Sequence, residues 1–300
     1  MTTHNPTRRD FLIASLGVIA ATKLTYSQDS STLTASKVIE RIKSNLNVPL
    51  PRLSVDKIIA GNEDMPVTGI GVSIMATLDV IERAAAKGLN MVITHEPTFY
   101  SQRDDLNLYP DDSVVQYKRD YLEKNNVIVY RLYDQWLGRN PSGYVEGITN
   151  LMDLEKHADD LNSNLLNFEG KSLLELAKDI ETKLNIKTLR VMGDPKMPVN
   201  LAFIGYGNTS LNQAVDILSR DDIDVLIIGE ANEWDVNEYA IDIYSTGKNK
   251  AVIYLGHLNS DVPGMKFCAE WLKGIVKEVP IEYIDFPEPL WFADKPEWKY

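Results

Sequence analysis

"TGIGVSIMATLDVIERAAAKGLNMVITHE" (residues 68–96) reads as an apolar strand, a polar turn, a helix with apolar residues three or four apart, and a second apolar strand. Set beneath it without a gap, "AFIGYGNTSLNQAVDILSRDDIDVLIIGE" (residues 202–230) repeats that order. Gly71 meets Gly205, Ile81 with Ala84 meets Val215 with Leu218, Met91–Ile93 meets Val225–Ile227, and Glu96 meets Glu230. The correspondence continues after a helix in each half. "VIVYRLYDQWL" (127–137) pairs with "AVIYLGHLNSD" (251–261), and Tyr130 falls on Tyr254. Strands that read as unbroken apolar runs are buried on both faces. The pattern predicts a duplicated α/β unit, with a first half over residues 33–165 and a second over 166–300. Two unrelated βαβ segments would share the same hydrophobic grammar. A solenoid is not indicated, because there are only two long copies.

Between the copies the spacing predicts a loop, a helix over Ser172–Leu184, and a strand running into Gly193-Asp194-Pro195. The tail "IDFPEPLWFADKPEWKY" is rich in proline and aromatics and has no helical period. It reads as an extended arm laid on the body or on a neighbouring subunit.

Three hundred residues that are 44% hydrophobic suffice for one large or two medium domains. No interior stretch reaches the roughly 18 apolar residues of a membrane span. The formal charge is −12, with no cluster of lysine and arginine to replace the counterions of a nucleic acid. A cationic or metal ligand suits this balance better. The single cysteine, Cys268, rules out an internal disulfide and a thiolate metal cluster, and reads as a small packing residue.

Residues 1–27 read as an address. Arg8 and Arg9 precede Phe11, Leu12 and an apolar run to Ala21, which is the charged start and short apolar region of a signal peptide. The pairing of the arginines is that of a twin-arginine signal, with cleavage expected after Ser27 and export from the cytoplasm to the periplasm or beyond. No polar face interrupts Phe11–Ala21, as an ordinary amphipathic helix would require.

In open α/β sheets ligands gather where strands end. Four such ends carry chemistry: His95-Glu96, Tyr133-Asp134, Gly229-Glu230 and Gly256-His257. Asp261 follows His257 by four residues, so a helical turn there places both on one face. Imidazole nitrogen and carboxylate oxygen together suit zinc, manganese or iron. Taken singly, each residue has a plainer role. His95 can cap a strand, Asp261 a helix, and Asp134 a turn, while Glu230 can be a solvated loop acid. His157 sits in a charged run and His4 in the leader. "GIGVSI" and "GYGNTS" lack the third glycine of a dinucleotide loop, and neither a P-loop nor a GxSxG elbow occurs.

These motifs resemble those of the NIF-three-like family, dinuclear-metal-centre hexamers also labelled GTP cyclohydrolase I type 2 homologs. The family's "D-x-[IV]-[IV]-x-H-H-P" is matched by "NMVITHEPTFY", with Glu96 in place of the second histidine. Its "D-x-x-[IV]-T-G-E" reads "IDVLIIGE", with Glu230. Its "G-H-x-x-x-E" reads "GHLNSD", with His257 as the histidine and Asp261 for the glutamate. Its "H-T-x-x-D" departs furthest. Tyr133 falls on the histidine and Leu137 on the metal-binding aspartate, leaving Asp134 as the nearest acid.

The resemblance implies duplicated, intertwined α/β halves with mixed sheets forming one domain over 33–290. It also implies a ring of six subunits and two divalent ions per subunit, held by His95, Glu96, Asp134, His257 and Asp261. Glu230 is then a supporting residue or general base. The implied activity is metal-dependent hydrolysis of a small nucleotide-like or phosphorylated molecule; the alternative is a non-catalytic metal-binding scaffold. Basic anchors are few, only Arg103, Arg131 and Arg139 lying near the motifs. Glu96 in place of histidine shifts the expected preference from zinc towards manganese or iron.

Overall fold

The computed structural model describes residues 32–154 and 164–293. The expected leader, His4 and His157 lie outside them. Helix α1 (Ala35–Leu46) buries Ala35, Val38, Ile39, Ile42 and Leu46, one stripe at helical spacing. The first half then runs β1 (Lys57–Ala60), β2 (Ile70–Ser73), α2 (Leu78–Ala86), β3 (Met91–Thr94), α3 (Ser113–Lys124), β4 (Ile128–Arg131), α4 (Asp134–Leu137) and α5 (Gly143–Met152). The second runs β5 (Leu165–Ser172), α6 (Leu173–Leu184), β6 (Arg190–Met192), β7 (Pro198–Ile204), α7 (Leu211–Leu218), β8 (Val225–Ile228), α8 (Glu233–Ser245), β9 (Ala251–Tyr254), α9 (His257–Ile275) and β10 (Ile281–Tyr283). Polar side chains start the helices as the sequence directs. Thr77 accepts from the Val80 amide ahead of α2, and Ser210 with Gln213 forms a reciprocal capping box ahead of α7.

Two five-stranded mixed sheets result, in the orders β1-β4-β3-β2-β10 and β5-β7-β8-β9-β6. The inner strands β2, β3, β4 and β7, β8, β9 are parallel, while β1, β5 and β6 run antiparallel at edges. Every residue of β2, β3, β4, β8 and β9 is buried, as the apolar runs require.

The halves are intertwined through the end of the chain. Helix α9 starts at the second sheet, yet its Met265, Cys268, Ala269 and Leu272 pack in the core of the first. Strand β10 then joins the first sheet, parallel to β2. Helix α5 divides the other way, with Tyr144 in the first core and Val145, Ile148 and Met152 in the second. The two helices cross at glycines. A Cβ on Gly147 would meet the Pro263 carbonyl oxygen at 2.3 Å, and one on Gly264 would meet the Tyr144 ring at 2.4 Å. The tail continues along the body, burying Ile284 and Phe286, and Glu288 accepts from the Lys187 amide at 2.7 Å.

Pairing across the sheets corrects the gapless correspondence. Met91 lies opposite Ile70 and Val225 opposite Ala202, so Ile70 corresponds to Ala202 and not to Ile204. Gly71 stands inside β2, whereas Gly205 follows β7. Ile128 lies opposite Met91 and Ala251 opposite Val225, which matches Tyr254 with Arg131 and not with Tyr130. On the helices, Ala214 and not Val215 is buried. A two-residue slip leaves a strand's inward face unchanged. Four-residue strands buried on both sides carry no alternation that would expose a slip of one. By the corrected register, Tyr133-Asp134 corresponds to Gly256-His257.

Candidate metal centre

Strand β3 ends at Thr94, and the amides of His95 and Glu96 both donate to the Ile74 carbonyl, at 3.2 and 2.9 Å. That turn drives the His95 side chain inward, where it is 3% exposed. The Tyr133 ring stacks on it with centroids 4.4 Å apart, and the Tyr144 hydroxyl is hydrogen-bonded to its Nδ1. Its Nε2 is left facing Glu96 Oε1 and Asp261 Oδ2, each at 3.7 Å.

From the second half, Gly256 turns the chain at φ +88°, a conformation suited to glycine, and α9 begins at His257. One helical turn brings Asp261 Oδ2 to 3.5 Å from His257 Nε2, which also lies 3.0 Å from Glu96 Oε1. His257 Nδ1 is fixed by Glu230 Oε1 at 2.9 Å. Both imidazoles therefore present Nε2 to the same two carboxylates. One ligand atom each from His95, Glu96 and Asp261 lies within 4.8 Å of the others, a grouping able to hold a cation.

Asp261 is the most telling member. It is 1% exposed, and its Oδ1 accepts from the Gly207 amide at 3.0 Å and the Ser260 hydroxyl at 2.8 Å. Its Oδ2 is buried and has no hydrogen-bond partner among the described residues. An orphaned buried carboxylate oxygen costs folding free energy on the order of 1–3 kcal/mol or more, and a cation would remove that cost. With two imidazole nitrogens and the Glu96 oxygen beside it, the donor set fits a divalent metal.

The electrostatics set protons in competition with a cation. Burial pushes the Asp261 carboxyl up to about 7. The hydrogen bond to Glu96 leads in raising His257 to about 9, against burial. Burial lowers His95 to about 4, which leaves its imidazole neutral and ready to ligate at neutral pH. Burial opposes ionisation of Glu96, but its bond with His257 and the neighbouring His95 hold it below the usual range.

Asp134 is not brought to this cluster. Its Oδ2 accepts from the Ser54 hydroxyl and the Val55 amide, both at 2.8 Å, so it caps a turn. Leu137 and Tyr133 line the cleft over the cluster. Arg131 is buried and spends itself on the His95 and Gln102 carbonyls, and Arg139 pairs with Glu146. Sequence reasoning passed over Tyr144, which sets His95 through Nδ1. Its one signal was its place in "SGYVEG", between glycines that admit a close helix crossing.

The cluster floors a cleft of about 690 Å³. Amides and hydroxyls line it at Gln102, Asn208, Thr209 and Gln213, and apolar groups at Phe203 and Ile217. Among the described residues no lysine or arginine lines it, while Asp216 and Glu230 do.

Two interleaved mixed α/β sheets with a histidine–carboxylate cluster where their strands end define an α/β protein with a candidate metal site between its halves. A profile of the family described as Duf34/NIF3 (NGG1p interacting factor 3) matches residues 33–289. The chain belongs to that family. It is 22% identical over 237 residues to a "GTP cyclohydrolase 1 type 2 homolog" of Clostridium acetobutylicum, covering 75% of this chain and 83% of that protein. A Staphylococcus aureus hypothetical protein shares the fold at TM-score 0.70 and 16% identity, covering 87% of this chain and all (100%) of that one. A Bacillus cereus protein related to NIF3 does so at TM-score 0.67 and 14% identity, over 88% and 100% of the two chains.

Proposed function

We propose that the cluster is a divalent-metal centre and that the protein is a metal-dependent hydrolase of a small molecule. The observation that carries this is the convergence of His95 Nε2 and His257 Nε2, from opposite halves, on one Glu96 oxygen and the unpartnered Asp261 Oδ2. His95, Glu96 and Asp261 would hold one ion, and His257, whose Nε2 faces the same two carboxylates, would add a ligand for a second. When bound, divalent ions supply Lewis-acid polarisation and activation of water. The protein's own groups orient that chemistry. Glu230 fixes His257 so that Nε2 faces the cluster, as Tyr144 does for His95. Glu230 is half-exposed at the cleft and is placed to accept a proton from a reactant there. Glu96 in place of a second imidazole favours manganese or iron over zinc.

Metal analysis of protein purified without chelator tests the binding reading. We expect stoichiometric metal in the native chain and its loss in Asp261→Asn; a native chain without metal would overturn the reading. Metal-dependent turnover across amide, phosphoester and cyclohydrolase substrates, abolished by His95→Ala, tests catalysis. Leu137, at the position where the resemblance expects a metal-binding aspartate, favours a second reading, a metal-binding scaffold. Tight metal binding with no turnover on the panel would select it. We further propose a homo-oligomer, a hexamer by resemblance, exported by the twin-arginine route. Light scattering and cell fractionation of an Arg8→Lys/Arg9→Lys variant check these, and a monomer, or unchanged export, would count against each.

A further inference from the structure

Behind Glu96 lies a second cavity of about 430 Å³, and Glu96 and Gln102 line both it and the cleft. Its wall includes Thr77 and Leu78 at the start of α2, together with Thr98 and Lys118. Lys118 is 3% exposed, and its ammonium donates to the Thr98 carbonyl at 2.6 Å. No carboxylate pairs with it among the described residues; it otherwise lies 5.6 and 5.3 Å from the Phe99 and Tyr100 ring centres. An ammonium has three donors, so most of its capacity is unspent. Thr98 is fully buried, and its hydroxyl has no hydrogen-bond partner among the described residues. At the start of α2 the Thr77 hydroxyl takes the Val80 amide; the amides before it have no partner inside the helix and stand at its positive dipole end, where Asp79 also lies. The one carboxylate on the wall among the described residues, Glu96, is drawn to His257 at 3.0 Å.

We propose that this second cavity is an anion subsite, in which Lys118, the Thr98 hydroxyl and the start of α2 take a phosphate or carboxylate group of the substrate. This rests on the hydrolase reading, because it places the anionic end of the substrate beside the centre that acts on it. It also accounts for a cleft without a basic side chain. Burial lowers the Lys118 ammonium to about 8, against a raising contribution from Asp104, and an arriving anion would complete its shell.

The test uses the whole chain stripped of metal, so that phosphate cannot be held by an ion. Inorganic phosphate and acetate are titrated separately while the melting temperature is followed. At tenfold over Kd we expect a rise of about 2–4 °C. Lys118→Met, close in shape, should lose the response, and Lys118→Arg should keep it. The anion that works identifies the group. Equal responses in native protein and Lys118→Met, or none in the native protein, would overturn the proposal. Metal uptake is measured separately, on portions of the same protein before stripping and after reloading. A phosphate response in a chain that never takes up metal would sink the metal reading and leave the subsite standing, and the reverse outcome would do the opposite.

Discussion

At the end of β3 stands His95; at the matching end of β8 stands Gly229. Both are followed by glutamate, Glu96 and Glu230, and both leave a fully buried strand. Yet a Cβ on Gly229 would meet the Gly207 carbonyl oxygen and Ser260 Oγ, each at 2.5 Å. The space that the first half gives to an imidazole is filled in the second by the loop that grips Asp261. The exchange runs the other way at the next strand. The second half places His257 where the first places Asp134, and Asp134 is held by the turn at Ser54 and Val55. Each half thus gives up one of the two positions and supplies the other, and the histidine–carboxylate cluster needs both halves.

The sharpest way to break this comparison is to give Gly229 a side chain. Gly229→Ala should destabilise the fold by about 2–3 kcal/mol, read from denaturant midpoints, and loosen Asp261 through Ser260. A neutral substitution would mean that the two strand ends are interchangeable.

Next comes the glutamate pair. Glu230→Gln leaves the cluster intact but weakens the orientation of His257, so metal affinity should fall about 10–100-fold by competition titration. No change would reduce Glu230 to a solvated acid.

The third break is proton competition. Binding needs Asp261 ionised and His257 neutral, and these change near 7 and 9. Affinity should therefore rise with pH, by about two orders of magnitude per unit below 7 and one between 7 and 9. His95, lowered to about 4, adds nothing in that window. A flat profile from pH 6 to 9 would remove the coupling.

The smallest effect tests the position given up by the first half. Asp134→Ala should cost about 1–2 kcal/mol of stability by denaturation, with metal affinity unchanged within roughly twofold. A large loss of metal would restore Asp134 as a ligand.

The strands were legible because "MVIT" and "VLII" are unbroken apolar runs, and buried parallel strands need nothing else. His95 and His257 were legible as rare imidazoles with acids within four positions. Register was not: runs without alternation slide by one or two residues at no visible cost in pattern, which is how Tyr130 came to sit on Tyr254. The hand-over of α9 and β10 to the first core was hidden too, since helical spacing tells which face is buried and not against which sheet. Asp134 misled because a turn-capping acid and a metal ligand are the same residue type, distinguished only by Ser54 and Val55, 80 and 79 positions away.

A single proposed centre draws an imidazole from each half. X-ray absorption at the metal edge of the loaded protein tests it most directly, comparing the native chain with His95→Ala and His257→Ala. Imidazole scattering is expected in the native spectrum and should diminish in each single variant. A spectrum altered by only one of the two substitutions, or by neither, would contradict it.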